Sequence, residues 1–300
     1  MGFIAWSDIY AHPLPEGHRF PMLKYELIPE QLLYEGTFYE TDFLRPEVMI
    51  SSIITSVHTP EYLKKLETLS LNKSEERKTG FPLSEQLIQR EKIIMQGTLD
   101  AALAALRTGV GFNVAGGTHH AYADRGEGFC LLNDQALAAQ YLLDKHIKSR
   151  ILIIDLDVHQ GNGTAAIFSN EPNVFTFSMH GANNYPLHKE KSDLDIPLSD
   201  GISDREYLSL LDTHLKQTFD LFQPDFLFYQ CGVDILETDK LGRLKVTPEG
   251  CKKRDALVFD IAKNNSIPIV CSMGGGYSED IRKIVDAHCT TFRLAAERYF

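Results

Sequence analysis

The sequence predicts an α/β protein built around a mainly parallel central sheet, and three observations point there. Short apolar, β-rich runs alternate with longer helical patterns along the 300 residues. One run, Ile151-Leu152-Ile153-Ile154, is apolar on both faces, as a strand covered by helices above and below has to be. No Pro/Ser/Gly-rich linker, lasting shift in composition or internal repeat divides the chain, so residues 1–300 read as a single domain.

Residues 1–10 have no basic region ahead of an apolar run and are interrupted by Asp8, which argues against a signal peptide. The most polar stretch, 72–78, reads as a loop. An Ala-rich pattern over about 83–107 predicts a long helix that Gly109 stops. A strand is expected over 111–115 and a helix over 134–145, and the run over 151–156 is expected near the middle of the sheet. Strands over 174–178, 225–230 and 267–272 alternate with helices over 204–222 and 278–298, and Thr247-Pro248-Glu249 marks a further helix start, with an N-cap and proline at the first helical position.

Composition narrows the function. Hydrophobic residues at 43% supply a large core and exclude a disordered or fibrous chain. A net charge of -11 argues against direct nucleic-acid binding, which needs a basic patch for the phosphates, and mildly favours a cationic substrate. The five cysteines, Cys130, Cys231, Cys251, Cys271 and Cys289, are odd in number and form no CxxC pair, so a reducing, cytoplasmic compartment is expected rather than a disulfide framework. No apolar run reaches the ~18 residues of a membrane span, and Gly2 lacks the Ser or Thr at position 6 that myristoylation requires.

In open α/β sheets reactive groups gather beyond the carboxyl ends of the strands. Four predicted strands run into polar, glycine-rich segments there: Gly116-Gly117-Thr118-His119-His120, Asp155 to Gly163, Cys231-Gly232-Val233-Asp234, and Met273-Gly274-Gly275-Gly276-Tyr277. Asp155, Asp157 and His159 fall at spacing two, which in an extended chain points all three to one side among apolar neighbours. Buried carboxylates demand cations or strong donors; a metal is the economical answer and a structural polar network the alternative. Asp157, His159 and Asp234 would give two oxygens and one nitrogen with a fourth position open, the pattern of catalytic zinc. Adjacent histidines point in different directions, which favours proton transfer over shared ligation for His119 and His120. The successive glycines allow close backbone approach, and Tyr277 behind them could aim its hydroxyl at a developing oxyanion.

The segments GGTHHA, GFCLLND, IDLDVHQGNG, CGVDILETDKLG and GGGY resemble, in order, those of the zinc-dependent histone deacetylases. DILETDKLGRLKVTPEG and KRDALVF look most similar to the class IV deacetylases and their bacterial homologues. The resemblance implies the arginase/deacetylase fold, a three-layer α/β/α sandwich. It further implies that Asp157, His159 and Asp234 hold zinc, that Tyr277 donates to the scissile carbonyl oxygen, and that His120 is general base and then acid. His119 would assist electrostatically with Asp155 as its carboxylate partner. Gly128, Phe129, Tyr185, Leu241, Gly275 and Gly276 would line the substrate tunnel, and a structural monovalent cation, K+, would sit at Asp155, Asp157, His159, Ser178 and Met179. Two departures stand out. Asn162 occupies the place where class I and II members carry an Asp turned toward the second histidine, so His120 is expected to have a lower pKa than in those classes; and the Tyr185 loop, 180–193, differs from the class I pattern.

The leading expectation is hydrolysis of Nε-acyl-lysine amides of a protein or peptide, with long-chain acyl groups implied by the class IV resemblance. Acetylpolyamines or other small acylated amines are the alternative substrates; Leu241, standing where polyamine-selective members use a Glu, weighs against them. An arginase-like reading lacks its second bridging carboxylate, since Gln160 and Gly161 follow His159. A catalytically inactive acyl-lysine or metal-binding protein is the nonenzymatic alternative. Iron could replace zinc in cells, because an Asp₂His site does not select by geometry alone.

Overall fold

The computed structural model describes residues 2–300; Met1, the first residue of the span read as one domain, lies outside the described residues. Eight strands are present: β1 (Ile4–Ala5), β2 (Phe43–Leu44), β3 (Val110–Asn113), β4 (Ile151–Asp155), β5 (Val174–Gly181), β6 (Leu194–Leu198), β7 (Phe226–Gln230) and β8 (Ile269–Ser272). Among the described residues they form one sheet in the order β2-β1-β3-β8-β7-β4-β5-β6, and every pairing is parallel. The sheet is therefore wholly rather than mainly parallel. All five residues of β4 are buried, but β4 lies third from the β6 edge, and β7 and β8 are nearer the middle.

The helices are α1 (Lys24–Tyr34), α2 (Ser51–Ile54), α3 (Pro60–Glu67), α4 (Lys73–Thr79), α5 (Glu85–Thr108), α6 (Asp134–Asp144), α7 (Asn162–Phe168), α8 (Asp204–Phe222), α9 (Pro248–Asn264) and α10 (Ile281–Tyr299). Neighbouring residues of a strand face opposite sides of a sheet. On β3, a Cβ at Gly111 would strike the backbone of Ala101 in α5, whereas the next ring, Phe112, stacks on Phe292 of α10 at 4.3 Å. The two helical layers thus meet on either face of one strand. α6 and α7 continue the α5 layer, and α1, α9 and α8 extend from α10.

The caps explain where the helices begin. Ser84, Ser203 and Thr247 each accept from a backbone N–H of the following turn, and Gly109 ends α5 in the left-handed region at φ +80°. Two expectations need correction. The polar stretch 72–78 is helix α4, because Asn72 and Glu75 form a reciprocal capping box. The last helix starts at Ile281 rather than 278, behind the Asp280 cap. The five cysteines are free and buried, and no helix among the described residues is long and apolar enough to cross a membrane.

Candidate active site

Asp157 and His159, just past β4, meet Asp234, just past β7. Their ligand atoms lie within 4.8 Å of one another and all three residues are buried. His159 Nδ1 is 3.1 Å from both Asp157 Oδ1 and Asp234 Oδ2. Asp155 does not share this side, contrary to the spacing-two expectation. The chain leaves the extended state after Asp155, whose Oδ1 accepts from Asp157 N at 3.1 Å, while Asp157 Oδ1 accepts from His159 N at 3.0 Å. These two side-chain-to-backbone turns bend the chain and send Asp155 toward His119. Glycines make room for the carboxylates: Cβ atoms at Gly232 and Gly275 would overlap Asp157 Oδ2 and Asp234 Oδ2.

The donor set fits a divalent cation. Burial and the neighbouring Asp157 push the Asp234 carboxyl up to about 7. Burial opposes a charge on His159, yet its hydrogen bonds to Asp157 and Asp234 raise it to about 10, so its proton stands in for positive charge that the two carboxylates require. A dication among two oxygens and one nitrogen would supply that charge and leave His159 neutral, as a ligand must be.

The two histidines differ in environment. Their turn is organised by Asp134, whose carboxylate accepts from Gly117 N at 3.0 Å, from Thr118 N and Oγ1 at 2.8 Å, and from Thr98 and Ser272 hydroxyls. His119 Nδ1 lies 2.7 Å from Asp155 Oδ2; burial works against its charge, but Asp155 and Asp157 prevail and raise it to about 9. His120 Nδ1 lies 2.6 Å from Asn162 Oδ1. Burial, followed by the charges of His119 and His159, holds its pKa well below the usual histidine range. His119 is therefore paired with a carboxylate, which favours its charged form, and His120 with an amide oxygen, to which its Nδ1–H is donated.

A cavity of about 620 Å³ opens above the group, lined by His120, His159, Tyr277, Gly128, Phe129, Tyr185 and Leu241. Phe129 has φ +70°, an uncommon conformation for a non-glycine residue. It is held there by Phe129 N donating to Thr79 O at 2.8 Å and Gly128 N to Lys78 O at 3.0 Å. The Tyr185 ring stands 5.0 Å from that of His120, and its hydroxyl donates to Glu127 Oε2 at 2.7 Å. Gly275 lines a smaller inner cavity together with Tyr277 and Phe129. Gly276 lines neither of these cavities, and a Cβ there would face Val233, Ile284 and His288. The mouth also carries Arg19, Arg77, Lys78 and Arg243 beside Glu127, with Arg243 3.3 Å from Asp200, so its lining is basic although the chain's net charge is -11.

Ser178 sits beside Asp155 in register across β4 and β5, with its hydroxyl 2.9 Å from His180 Nδ1, and Met179 follows it, fully buried. Three positioning residues were not singled out in the sequence. Asp134 is one. Asp239 accepts from Tyr277 N at 2.6 Å and from Leu241 and Gly242 N at 2.8 and 2.9 Å. Lys24 is fully buried and donates to Gly274 O at 2.7 Å. The first two lie inside quoted motifs, where an acidic residue beside a glycine-rich turn is the signal. Lys24 is joined to its partner across 250 positions and leaves no local signal.

A wholly parallel sheet that gathers two carboxylates and an imidazole at its carboxyl end, between two helical layers, is the architecture of the arginase/deacetylase fold. Residues 18–292 match the histone deacetylase domain, and the chain belongs to the histone deacetylase family. It is 40% identical over 300 residues to an uncharacterized protein of Picosynechococcus sp., covering 100% of both chains. It is 30% identical over 287 residues to histone deacetylase 2 of Arabidopsis thaliana, covering 93% of this chain and 74% of that one. Histone deacetylase 1 of Homo sapiens matches at 29% over 311 residues, covering 96% of this chain and 62% of the human one. The crystal structure of an HDAC homologue complexed with SAHA has the same fold, with a TM-score of 0.85 at 24% identity over 99% of this chain and 84% of that one.

Proposed function

We propose that residues 1–300 form one cytoplasmic enzyme domain that hydrolyses Nε-acyl-lysine amides with a zinc ion held by Asp157, His159 and Asp234. The observation that carries this is the buried Asp₂His group under the cavity that also presents His120 and Tyr277. When bound, the metal would polarise the scissile carbonyl and acidify the attacking water. His120, neutral with its proton on Nδ1, takes a proton from that water at Nε2 as the water oxygen bonds to the carbonyl carbon. The Tyr277 hydroxyl donates to the carbonyl oxygen as charge grows on it, and Asn162 Oδ1, accepting from Nδ1–H, steadies the cationic His120 beside the His119–Asp155 pair. His120 then returns the proton to the lysine nitrogen as the C–N bond breaks, and the acid proton passes to the released amine, leaving a carboxylate and a lysine ammonium.

Phe129 and Tyr185 would flank the lysine stem, with Gly128, Leu241 and Gly275 around it. Asp155, Asp157, His159, Ser178 and Met179 would hold the structural K+. The class IV-like segments favour a long acyl chain over acetyl. A polyamine substrate is disfavoured by the excess of cations at the mouth, Arg19, Arg77, Lys78 and Arg243 against Glu127, which would repel its distal ammonium. Incubation of the zinc-loaded protein with acetyl-lysine, myristoyl-lysine and acetylpolyamine substrates, followed by mass spectrometry, tests this. Release from the lysine substrates that Tyr277→Phe loses is expected; faster polyamine hydrolysis, or no release from any substrate, would overturn it.

A further inference from the structure

The general base is tied to the surface by a hydrogen-bonded chain. His120 Nδ1 meets Asn162 Oδ1 at 2.6 Å, Asn162 Nδ2 donates to the Tyr122 hydroxyl at 3.0 Å, and Tyr122 donates to Glu190 Oε1 at 3.1 Å. The inner members are enclosed, Asn162 at 1% and Tyr122 at 8% exposure. Glu190 is exposed but not loosely placed. Its backbone is clasped by the fully buried Gln160, which accepts from Glu190 N at 2.9 Å and donates to Glu190 O at 2.7 Å. The Arg125 guanidinium covers the Tyr122 ring at 3.5 Å, and burial together with Glu190 pushes the phenol up to about 12, so it keeps its proton.

The chain answers a question that a lone asparagine leaves open. A carboxylate beside His120 could only accept and would fix the ring proton on Nδ1. An amide has two orientations, and with its NH₂ turned to Nδ1 it would force the proton onto Nε2, where His120 could not accept from water. Asn162 cannot make this choice by itself. A carboxylate at the far end can, because it is acceptor-only: Tyr122 gives its proton to Glu190, keeps a lone pair for Asn162 Nδ2, and so leaves Oδ1 for His120. Resting on the deacylase reading above, we propose that Tyr122 and Glu190 are positioning residues that set the orientation of Asn162 and thereby hold His120 in the tautomer that can act as base.

The test joins ring nitrogen NMR of His120, assigned against a His120→Ala control, with kinetics on the zinc-loaded protein. A single Nδ1–H tautomer is expected in the wild type and a mixture in Glu190→Gln and Tyr122→Phe. The accompanying fall in kcat should be on the order of fivefold at little change in KM, because a tautomer population shifts while the base, worth roughly 10²–10⁴, remains. The double variant should be no slower than Tyr122→Phe alone, since Glu190 acts through Tyr122. Asn162→Asp, acceptor-only at the same place, should make kcat indifferent to Tyr122→Phe. If Tyr122→Phe fails to fold, Glu190→Gln at the exposed end carries the test. An unchanged tautomer in the folded variants, or a Tyr122→Phe loss that persists at full size in the Asn162→Asp background, would overturn the proposal. If the wild type turns over no acyl substrate, the deacylase reading fails while the NMR result still decides the relay.

Discussion

Residue types at the site follow from what each side chain meets. Gly275 donates its N–H to Asp157 Oδ2 at 2.9 Å, and any Cβ there would overlap Asp234 Oδ2. Gly275→Ala should therefore weaken zinc binding at least tenfold, by order of magnitude for a displaced ligand, with the circular dichroism spectrum unchanged; wild-type zinc affinity would show that the carboxylates yield freely. His58 makes a pH-dependent contribution outside the catalytic group. Its Nδ1 donates to Tyr122 O at 3.0 Å and its Nε2 accepts from Asn133 N at 3.0 Å, so protonation would set a donor against a donor. Burial lowers its pKa from 6.5 to about 4. As pH falls the unfolded chain takes up the proton first, so this contribution is complete above about pH 6.5 and is lost down to about pH 4, amounting to about 3 kcal/mol. Urea unfolding in that window should show a shallower pH slope for His58→Gln than for the wild type; equal slopes would mean that His58 titrates normally in the fold. The residue types of the site were legible in the sequence because each lies in the polar segment that follows an apolar strand. Their division between two sites was not, because the turns at Asp155 and Asp157 break the extended geometry from which spacing was read.

Among the elements, those with both an apolar period and a cap were readable: α5, α6 and α8 stand close to their expected bounds, and α9 begins at its expected cap. β1 and β2 escaped because two residues carry no periodicity, α1 because Pro29 lies inside it, and α4 because its polar composition hid the Asn72–Glu75 box. α4 matters for the cavity, since the carbonyls of Lys78 and Thr79 at its carboxyl end hold Gly128 and Phe129. Gly80 caps it at φ +79°, and a Cβ there would stand 2.7 Å from Phe129 Cε1. Gly80→Ala is expected to cost about 1 kcal/mol in stability from the left-handed backbone and to raise KM several-fold with little change in kcat, by displacing one wall of the lysine channel. A change in kcat with KM constant would contradict that assignment of Phe129.

For the whole molecule, the net charge of -11 averages over a surface on which the mouth gathers Arg19, Arg77, Lys78 and Arg243 around Glu127. Acyl-lysine peptides with acidic flanks should therefore have lower KM than peptides with basic flanks. The gap should narrow as salt shortens the Debye length below ~10 Å; no difference between the peptides would mean that the rim does not meet the flanking chain. The parallel order of the sheet brings Asp157, His159 and Asp234 together from the ends of β4 and β7, two adjacent strands, and the central claim is that this group holds the one metal ion that hydrolysis needs. The most direct measurement is titration of metal-stripped protein with zinc while acyl-lysine hydrolysis and bound metal are followed together. Activity should rise in proportion to bound zinc and level off at one equivalent, and Asp234→Asn should lose both. Hydrolysis without metal, or undiminished zinc binding in Asp234→Asn, would contradict it.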